Sequence, residues 1–371
     1  PAAKRMNKKI QRDIDPSNNE GITLIPQVMS NNAMEVIDLS HQLEKFGYTT
    51  LNINLGCPSG TVVGKKRGSG LLFYPEELDH FLEELYSNIN IPVSIKTRIG
   101  FNSEDEWYEI AEIYSKYPIE ELTIHPRIQK DFYKNSPRLD AFKHATEVIN
   151  CPLCYNGDIT SVESFSKIHN EFPDINSYMI GRGLFERPGL IHEIMSNSAD
   201  DIDEKEKRER ITNFHNEILS GYLSIMSGEK DAMFRMKEIW LYLRKSFDDS
   251  DKYWKKIKKA QSITDKAFTE ILPFIKEGVT EKEIRAKLEY IMFSLGADGL
   301  AFETIVASGT NGAKPHAVPS DNKIKSGDFV TIDFGARKDN YDSDMTRTVA
   351  VGEITKEMEN IYNTNPYSYG F

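Results

Sequence analysis

Cysteine is scarce in these 371 residues, with three in all, at positions 57, 151 and 154. That excludes a disulfide scaffold. With no secretory pattern in the opening residues, it points to a reducing, cytoplasmic setting. Long apolar runs are also missing. Ile291-Met292-Phe293 and Leu71-Leu72-Phe73 are among the longest, far from the roughly 20 residues that span a bilayer. Positive charge is not in excess, since 46 basic against 57 acidic residues leave a net −11. Bulk coating of nucleic acid is excluded, and any RNA contact has to come from local basic patches. What is present is ample core material, 39% hydrophobic residues. At roughly 150 residues per domain, the length implies two domains, or a barrel with an appendage.

From residue 22 to about 190 the chain repeats a short apolar strand, a loop and an amphipathic helix. Strands are predicted at 22–29, 50–55, 93–98, 122–126, 153–156 and 178–180, and helices at 33–46, 75–86 and 104–117. Strands alternating with helices imply a parallel sheet with right-handed crossovers. Gln27, Cys57, Lys96, His125, Asn156 and Arg182 fall at or just after strand ends, the face where a (β/α) barrel carries its active site. About six such strands are visible where a closed barrel needs eight. The opening segment, 1–20, offers none.

Residues 200–262 read as a small helical domain, with a charge-dense start at 200–210 and helices at 213–222, 232–243 and 252–259. The last is basic and aromatic, Lys252-Tyr253-Trp254-Lys255-Lys256-Ile257-Lys258-Lys259, either a solvated face or a phosphate-contacting patch. Beyond it, helices at 264–276 and 281–295 lead through Gly296 into 302–308, and two strands follow at 328–334 and 345–351, joined by a polar loop. That pattern is α+β. The tail 365–371 has no period.

The sharpest motif is Asn52-Ile53-Asn54-Leu55-Gly56-Cys57-Pro58-Ser59-Gly60. A free Cys is commonly a small core residue. This one ends a strand and precedes a loop with Gly60, Gly64, Gly68 and Gly70 that bears Lys65, Lys66 and Arg67, a loop suited to closing over an anionic substrate. Ser94-Ile95-Lys96-Thr97-Arg98 places a cation in a strand expected to be otherwise apolar, and a buried cation needs an electron-rich partner. Ile124-His125-Pro126-Arg127 repeats that logic. Tyr155-Asn156-Gly157-Asp158 and Gly181-Arg182-Gly183 put glycines at the last two strand ends, where barrels commonly dock a cofactor phosphate. Cys151-Pro152-Leu153-Cys154 lacks the two further ligands a zinc site needs and is read as a strand-edge pair.

Asn54-Leu55-Gly56-Cys57-Pro58, Lys96-Thr97-Arg98, His125-Pro126-Arg127 with Tyr133, Asn156-Gly157-Asp158 and Gly181-Arg182-Gly183 occur in one order. In that order they resemble the tRNA-dihydrouridine synthase family over residues ~7–260. The resemblance implies an FMN-binding TIM barrel, (β/α)8 but lacking its first two strands, with a C-terminal helical tRNA-binding domain. It implies that Cys57 is the general acid protonating C5 of uracil while reduced FMN delivers hydride to C6, and that NADPH is the reductant. It further implies that Gln27, Lys96 and His125 contact the flavin and that Asn156, Gly157, Asp158, Gly181 and Arg182 hold its phosphate. Asn54 and Arg127 would lie near the target base.

Farther on stand Thr331-Ile332-Asp333-Phe334-Gly335 and Asp342-Ser343-Asp344-Met345-Thr346-Arg347-Thr348, two carboxylates that could face a divalent metal pair. With Ala307-Ser308-Gly309 and Lys314-Pro315-His316 ahead of them, residues ~259–364 resemble the start of the catalytic domain of Xaa-Pro aminopeptidases, the creatinase-like pita-bread metallopeptidases. There Asp333 and Asp344 would be ligands of Mn, Co or Zn, and His316 would line the substrate site. That family's later His and Glu ligands have no counterpart, so no peptidase activity is expected. The expected organisation is a barrel domain at 1–195, a helical domain at 196–260, a partial α+β pita-bread domain at 261–364 and a tail. The join near Lys258-Lys259-Ala260-Gln261 is read as that of two partial domains, a joined gene-fragment product rather than a natural fusion. A non-catalytic RNA binder is the third reading.

Overall fold

A computed structural model describes residues 6, 8–196, 203–226, 229–314 and 316–364. The expected tail, Pro315 and the start of the charged 200–210 run lie outside them. The chain divides into two compact units, residues 1–246 and 247–371. Among the described residues no helix is long and apolar enough to cross a membrane.

The first unit is a mixed α/β structure on one parallel sheet. Its strands are β1 (Gln27–Val28), β2 (Leu51–Leu55), β3 (Val93–Gly100), β4 (Leu122–Ile128), β5 (Leu153–Tyr155) and β6 (Ser177–Tyr178), side by side in sequence order. The helices are α1 (Lys8–Ile14), α2 (Ala33–Glu44), α3 (Gly60–Val63), α4 (Pro75–Asn88), α5 (Glu106–Ser115), α6 (Leu139–Val148), α7 (Val162–Glu171), α8 (Arg182–Glu186), α9 (Leu190–Ser196), α10 (Glu204–Ile225) and α11 (Glu229–Leu243). All six predicted strands are present. A closed barrel is not seen: no pairing joins β1 to β6 among the described residues.

Register sorts the strand residues onto two faces. Leu51, Ile53 and Leu55 pair with Val93, Ile95 and Thr97, and Ile95 and Thr97 pair with Leu122 and Ile124. These join one core with Val36, Leu82, Ile110, Trp107 and Phe142 from the helices. The other face is polar. Gln27 pairs with Asn52, Asn52 with Ser94, Asn54 with Lys96, Lys96 with Thr123, and Arg98 with His125. The expectation that the Lys96 strand is otherwise apolar is therefore corrected. Side chains alternate across the pleat, so a half-polar strand still buries a full apolar face.

The second unit holds two three-stranded antiparallel sheets. Its strands are β7 (Gly299–Leu300), β8 (Ile305–Ser308), β9 (Phe329–Phe334), β10 (Ala336–Lys338), β11 (Tyr341–Asp342) and β12 (Met345–Ala350), ordered β12-β9-β8 and β11-β10-β7. Its helices are α12 (Ser250–Ile271), α13 (Glu281–Ser294) and α14 (Lys356–Thr364). The helices predicted at 252–259 and 264–276 are one. Ala260, Ile263, Thr264, Ala267 and Ile271 form a buried stripe along α12, no Gly or Pro interrupts it, and it ends before Pro273. Residue 260, where the join was placed, falls inside that helix. The polar loop predicted between β9 and β12 is instead the β10–β11 hairpin. Its two-residue turn, Asp339-Asn340, holds both residues at φ of 53° and 64°, the conformation that matches the strand twist.

Glu281, in the first turn of α13, is fully buried. Its Oε1 accepts from Ser308 N (2.7 Å) and Ser308 Oγ (3.0 Å). Its Oε2 accepts from Asn311 Nδ2 (2.9 Å), Ser320 N (2.9 Å) and Ser320 Oγ (2.8 Å). Burial pushes its pKa up, but the bonds from Ser308 and Ser320 overcome that and hold the carboxyl below its ordinary value. The folded state thus takes up its proton later than the unfolded chain does. The stabilisation is whole above the unfolded value of about 4.3 and is lost as pH falls through the folded one. Glu281→Ala strands five donors and should cost on the order of 3 kcal/mol, read as a lower urea midpoint for this unit. Glu281→Gln should flatten the acid-side fall in stability.

Candidate active site at the strand ends

Asn54, at the end of β2, builds the Cys57 turn. Its side-chain oxygen accepts from the N–H of Gly56 (3.0 Å) and Cys57 (2.6 Å). Its amide donates to Gln27 Oε1 (2.8 Å), Gln27 donates to Asn52 Oδ1 (2.8 Å), and Asn52 donates to Ser94 Oγ (2.8 Å). This chain of amides runs across three strands and fixes the orientation of each member. Cys57 itself is a half-buried free thiol, within electrostatic reach of the Lys96 ammonium.

The residue that joins the loops was quoted in the sequence only as part of a motif. Arg98, on β3, is fully buried and donates to the carbonyls of Gly56 (2.9 Å), Ile128 (2.8 Å) and Phe132 (2.8 Å). It thereby ties the Cys57 turn to the loop after β4. Gln129, also missed, adds a bond to Pro58 O (3.0 Å). Asp131 accepts from Ile128 N (3.0 Å) and Asn135 Nδ2 (2.5 Å) and pairs with Arg138. Paired loop carboxylates and arginines are common on protein surfaces, so nothing in the sequence separated Asp131 from them.

Arg127 is buried and four of its five N–H groups are engaged. It donates to Asn135 O (2.5 Å), to both Asp158 oxygens (2.9 and 2.5 Å), and to His125 Nε2 (3.0 Å). Asp158 also accepts from Arg182 (2.8 Å). Burial raises the Asp158 pKa, but Arg127 and Arg182 outweigh it and hold the carboxyl below its ordinary value. A guanidinium has no lone pair to offer. The His125 Nε2 beside it must therefore be bare, with the ring proton on Nδ1. Burial first, then Arg98, Lys96, Arg127 and Arg182, push the His125 pKa down to about 2. The imidazole is neutral. Tyr133 lies against the same group, its ring 5.9 Å from His125, 4.2 Å from the Arg182 guanidinium and 5.5 Å from that of Arg98.

Lys96, His125, Tyr133, Asn156, Gly157, Asp158, Met179, Gly181, Arg182 and their neighbours enclose a cavity of about 190 Å³. Asn156 is set by its amide bond to Met179 O (2.8 Å). Burial first, then Arg98, lower the Lys96 pKa to about 8. Lys96 has no ion-pair partner among the described residues. An unpaired, partly dehydrated ammonium beside a neutral imidazole and an arginine favours an electron-rich or anionic occupant.

Of the loop cations, Lys65 is exposed, while Lys66 and Arg67 are bound to Glu77 and Glu35. Cys151 and Cys154 are free thiols, and burial pushes the first up to about 11 and raises the second. In the second unit Asp333 accepts from Thr346 Oγ1 (2.6 Å), and Asp344 and His316 are exposed. Among the described residues no group of three or more His, Cys, Asp or Glu is placed to hold a metal ion.

A parallel sheet flanked by helices, with polar groups gathered at the carboxyl ends of its strands, defines the first unit as a parallel α/β domain. Residues 2–277 match the family model described as "Dihydrouridine synthase (Dus)", and the chain belongs to that family. Residues 255–365 match a second model, "Metallopeptidase family M24", as a fusion of the two would. A tRNA-dihydrouridine synthase B of Vibrio parahaemolyticus is 32% identical over 170 residues, 46% of this chain and 50% of the relative. The Pasteurella multocida protein of the same name is 33% identical over 147 residues, 39% of this chain and 44% of its own. A Xaa-Pro dipeptidase of Pyrococcus horikoshii is 47% identical over 113 residues, 30% and 32% of the two chains. The chain thus spans half or less of the curated relatives it matches.

The imidazole of His125 should show no titration by NMR between pH 5 and 9, in keeping with a pKa near 2. Between that value and the ordinary 6.5 the folded state binds fewer protons than the unfolded chain. The His125 contribution to stability is therefore whole above 6.5 and declines as pH falls below it. A titration midpoint near 6.5 would mean that the ring is solvated.

Proposed function

We propose that the first unit is a flavin-dependent tRNA-dihydrouridine synthase domain, with Cys57 as the proton donor to C5 of the target uracil. The observation that carries the reading is the unpaired Lys96 ammonium, lining a cavity with neutral His125, in reach of the Cys57 thiol. The donor set fits FMN. Lys96 and His125 suit the ring, while Arg182, Asn156 and the open backbone at Gly181 suit a phosphate tail. Bound and reduced by NADPH, FMN would supply the hydride taken up by C6.

The protein's own groups do the rest. Asn54 holds the Cys57 turn through the two N–H groups it receives, which sets the thiol's position over the base. The thiol gives its proton to C5. Arg127 braces Asp158 and His125, and its one remaining N–H is read as the contact of the base. Lys65 and the exposed lysines at 252, 255, 258 and 259, with the helical region 196–260, are read as contacts of the tRNA backbone. A second reading, favoured by the metallopeptidase match over residues 255–365, is an Xaa-Pro peptidase fragment. Manganese- or cobalt-dependent cleavage of an Xaa-Pro peptide by this chain would support it.

The purified chain should carry a flavin absorption spectrum, largely lost in Lys96→Ala. A colourless folded protein would overturn the reading. Cys57→Ala should keep the flavin and lower NADPH-driven uridine reduction in unmodified tRNA by about a hundred-fold or more.

A further inference from the structure

The loop after Cys57 is held at two points by acids that no motif singled out. Arg67 donates from Nη2 to Glu35 Oε2 (2.9 Å) and from Nε to Asn31 Oδ1 (3.3 Å). Asn31 in turn donates to Lys65 O (3.3 Å), and Ser30 Oγ donates to Glu35 Oε2 (2.7 Å). Lys66 donates to Glu77 Oε1 (2.6 Å), and its ammonium sits 4.0 Å from the centre of the Tyr74 ring. Glu35 stands in the first turn of α2 and Glu77 in that of α4. The two loop cations are thus pinned to two separate helices.

The pinned segment is adjacent to the groups that hold Cys57. Lys66 sits at φ 54°, a left-handed conformation that a lysine adopts only when its surroundings hold it there. Gly68 follows at φ 56°, so close to the turn that an added Cβ would lie 2.6 Å from Cys57 O and 3.1 Å from Cys57 Cβ. Ser69 donates to Cys57 O from its N–H (3.0 Å) and its hydroxyl (2.9 Å). The ion pairs therefore fix residues 66 and 67, which fix the course of 68 and 69, which hold the Cys57 carbonyl.

We propose that Glu35 and Glu77 are positioning residues for Cys57, acting through Arg67 and Lys66 as a two-point latch on the turn that carries the thiol. The four side chains are each between a third and three-fifths exposed. Such pairs are individually weak and screened by salt, whose Debye length is about 8 Å at physiological ionic strength. The latch is therefore one that a polyanion competing for Lys66 and Arg67 could open. The inference gives a role to Cys57 that rests on the reading above, whereas its test does not depend on flavin or tRNA.

The measurement is the alkylation rate of each cysteine by iodoacetamide, resolved by peptide mass mapping, in the full chain. Glu35→Gln with Glu77→Gln should raise the rate at Cys57 several-fold and leave buried Cys154 unchanged. High sodium chloride should raise the wild-type Cys57 rate in the same direction and have little effect on the double variant. The charge-exchanged pair Glu35→Arg with Arg67→Glu should bring the rate back toward wild type, which a merely structural loss would not do. An unchanged or lowered Cys57 rate in the double variant overturns the proposal. So does a rise shared equally by Cys154, or no recovery on charge exchange. Any of these leaves the flavin and uridine assays untouched. Conversely, a colourless, inactive chain whose Cys57 responds as expected refutes the synthase reading alone.

Discussion

A guanidinium buried among carbonyls holds the first unit's strand ends together. Arg98 gives its donors to Gly56, Ile128 and Phe132, so the turn after β2 and the loop after β4 share one cation. Burying a charge is costly unless its donors are met. Here three backbone acceptors meet it. The two loops are thereby set relative to each other, and with them the thiol of Cys57 and the ring of Tyr133.

Around that anchor the charges are arranged unevenly. Asp158 pairs with both Arg127 and Arg182 and Arg98 is held by carbonyls, whereas Lys96 has neither kind of partner among the described residues. His125, crowded by four positive groups, stays neutral. A cavity wall that carries an unpaired ammonium, a neutral imidazole and an arginine shared with a carboxylate favours an anionic or electron-rich occupant. That composition, more than the shape of the cavity, supports a flavin there.

Much of this was legible in the order of residues. The six strands show as short apolar runs, and the polar residues at their ends stand out against them. The two-faced nature of the sheet was not visible, because strands such as Val93–Gly100 carry polar groups on alternate positions that pass for interruptions. Arg98 was hidden for the opposite reason. Its partners are carbonyls of Gly56, Ile128 and Phe132, which leave no side-chain signature. The β10–β11 hairpin was missed because Asp339-Asn340 lacks the glycine that usually marks such a turn. The single helix α12 was split because its lysine-rich half and its apolar half look like different segments until the buried stripe is traced through both.

That helix also constrains how the two family patterns can be joined. Both cover residues 255–277, and within that span α12 seats Ala260, Ile263, Thr264, Ala267 and Ile271 against the second unit's core. Each residue inserted or deleted ahead of this stripe would turn the lysine-bearing end by about 100° and shift it by about 1.5 Å. A loop at the seam would absorb such a change in length, whereas a helix converts it into rotation. Substitutions on the exposed side of the helix are therefore cheap, whereas single-residue indels there would rotate its lysine-bearing turns against the buried stripe.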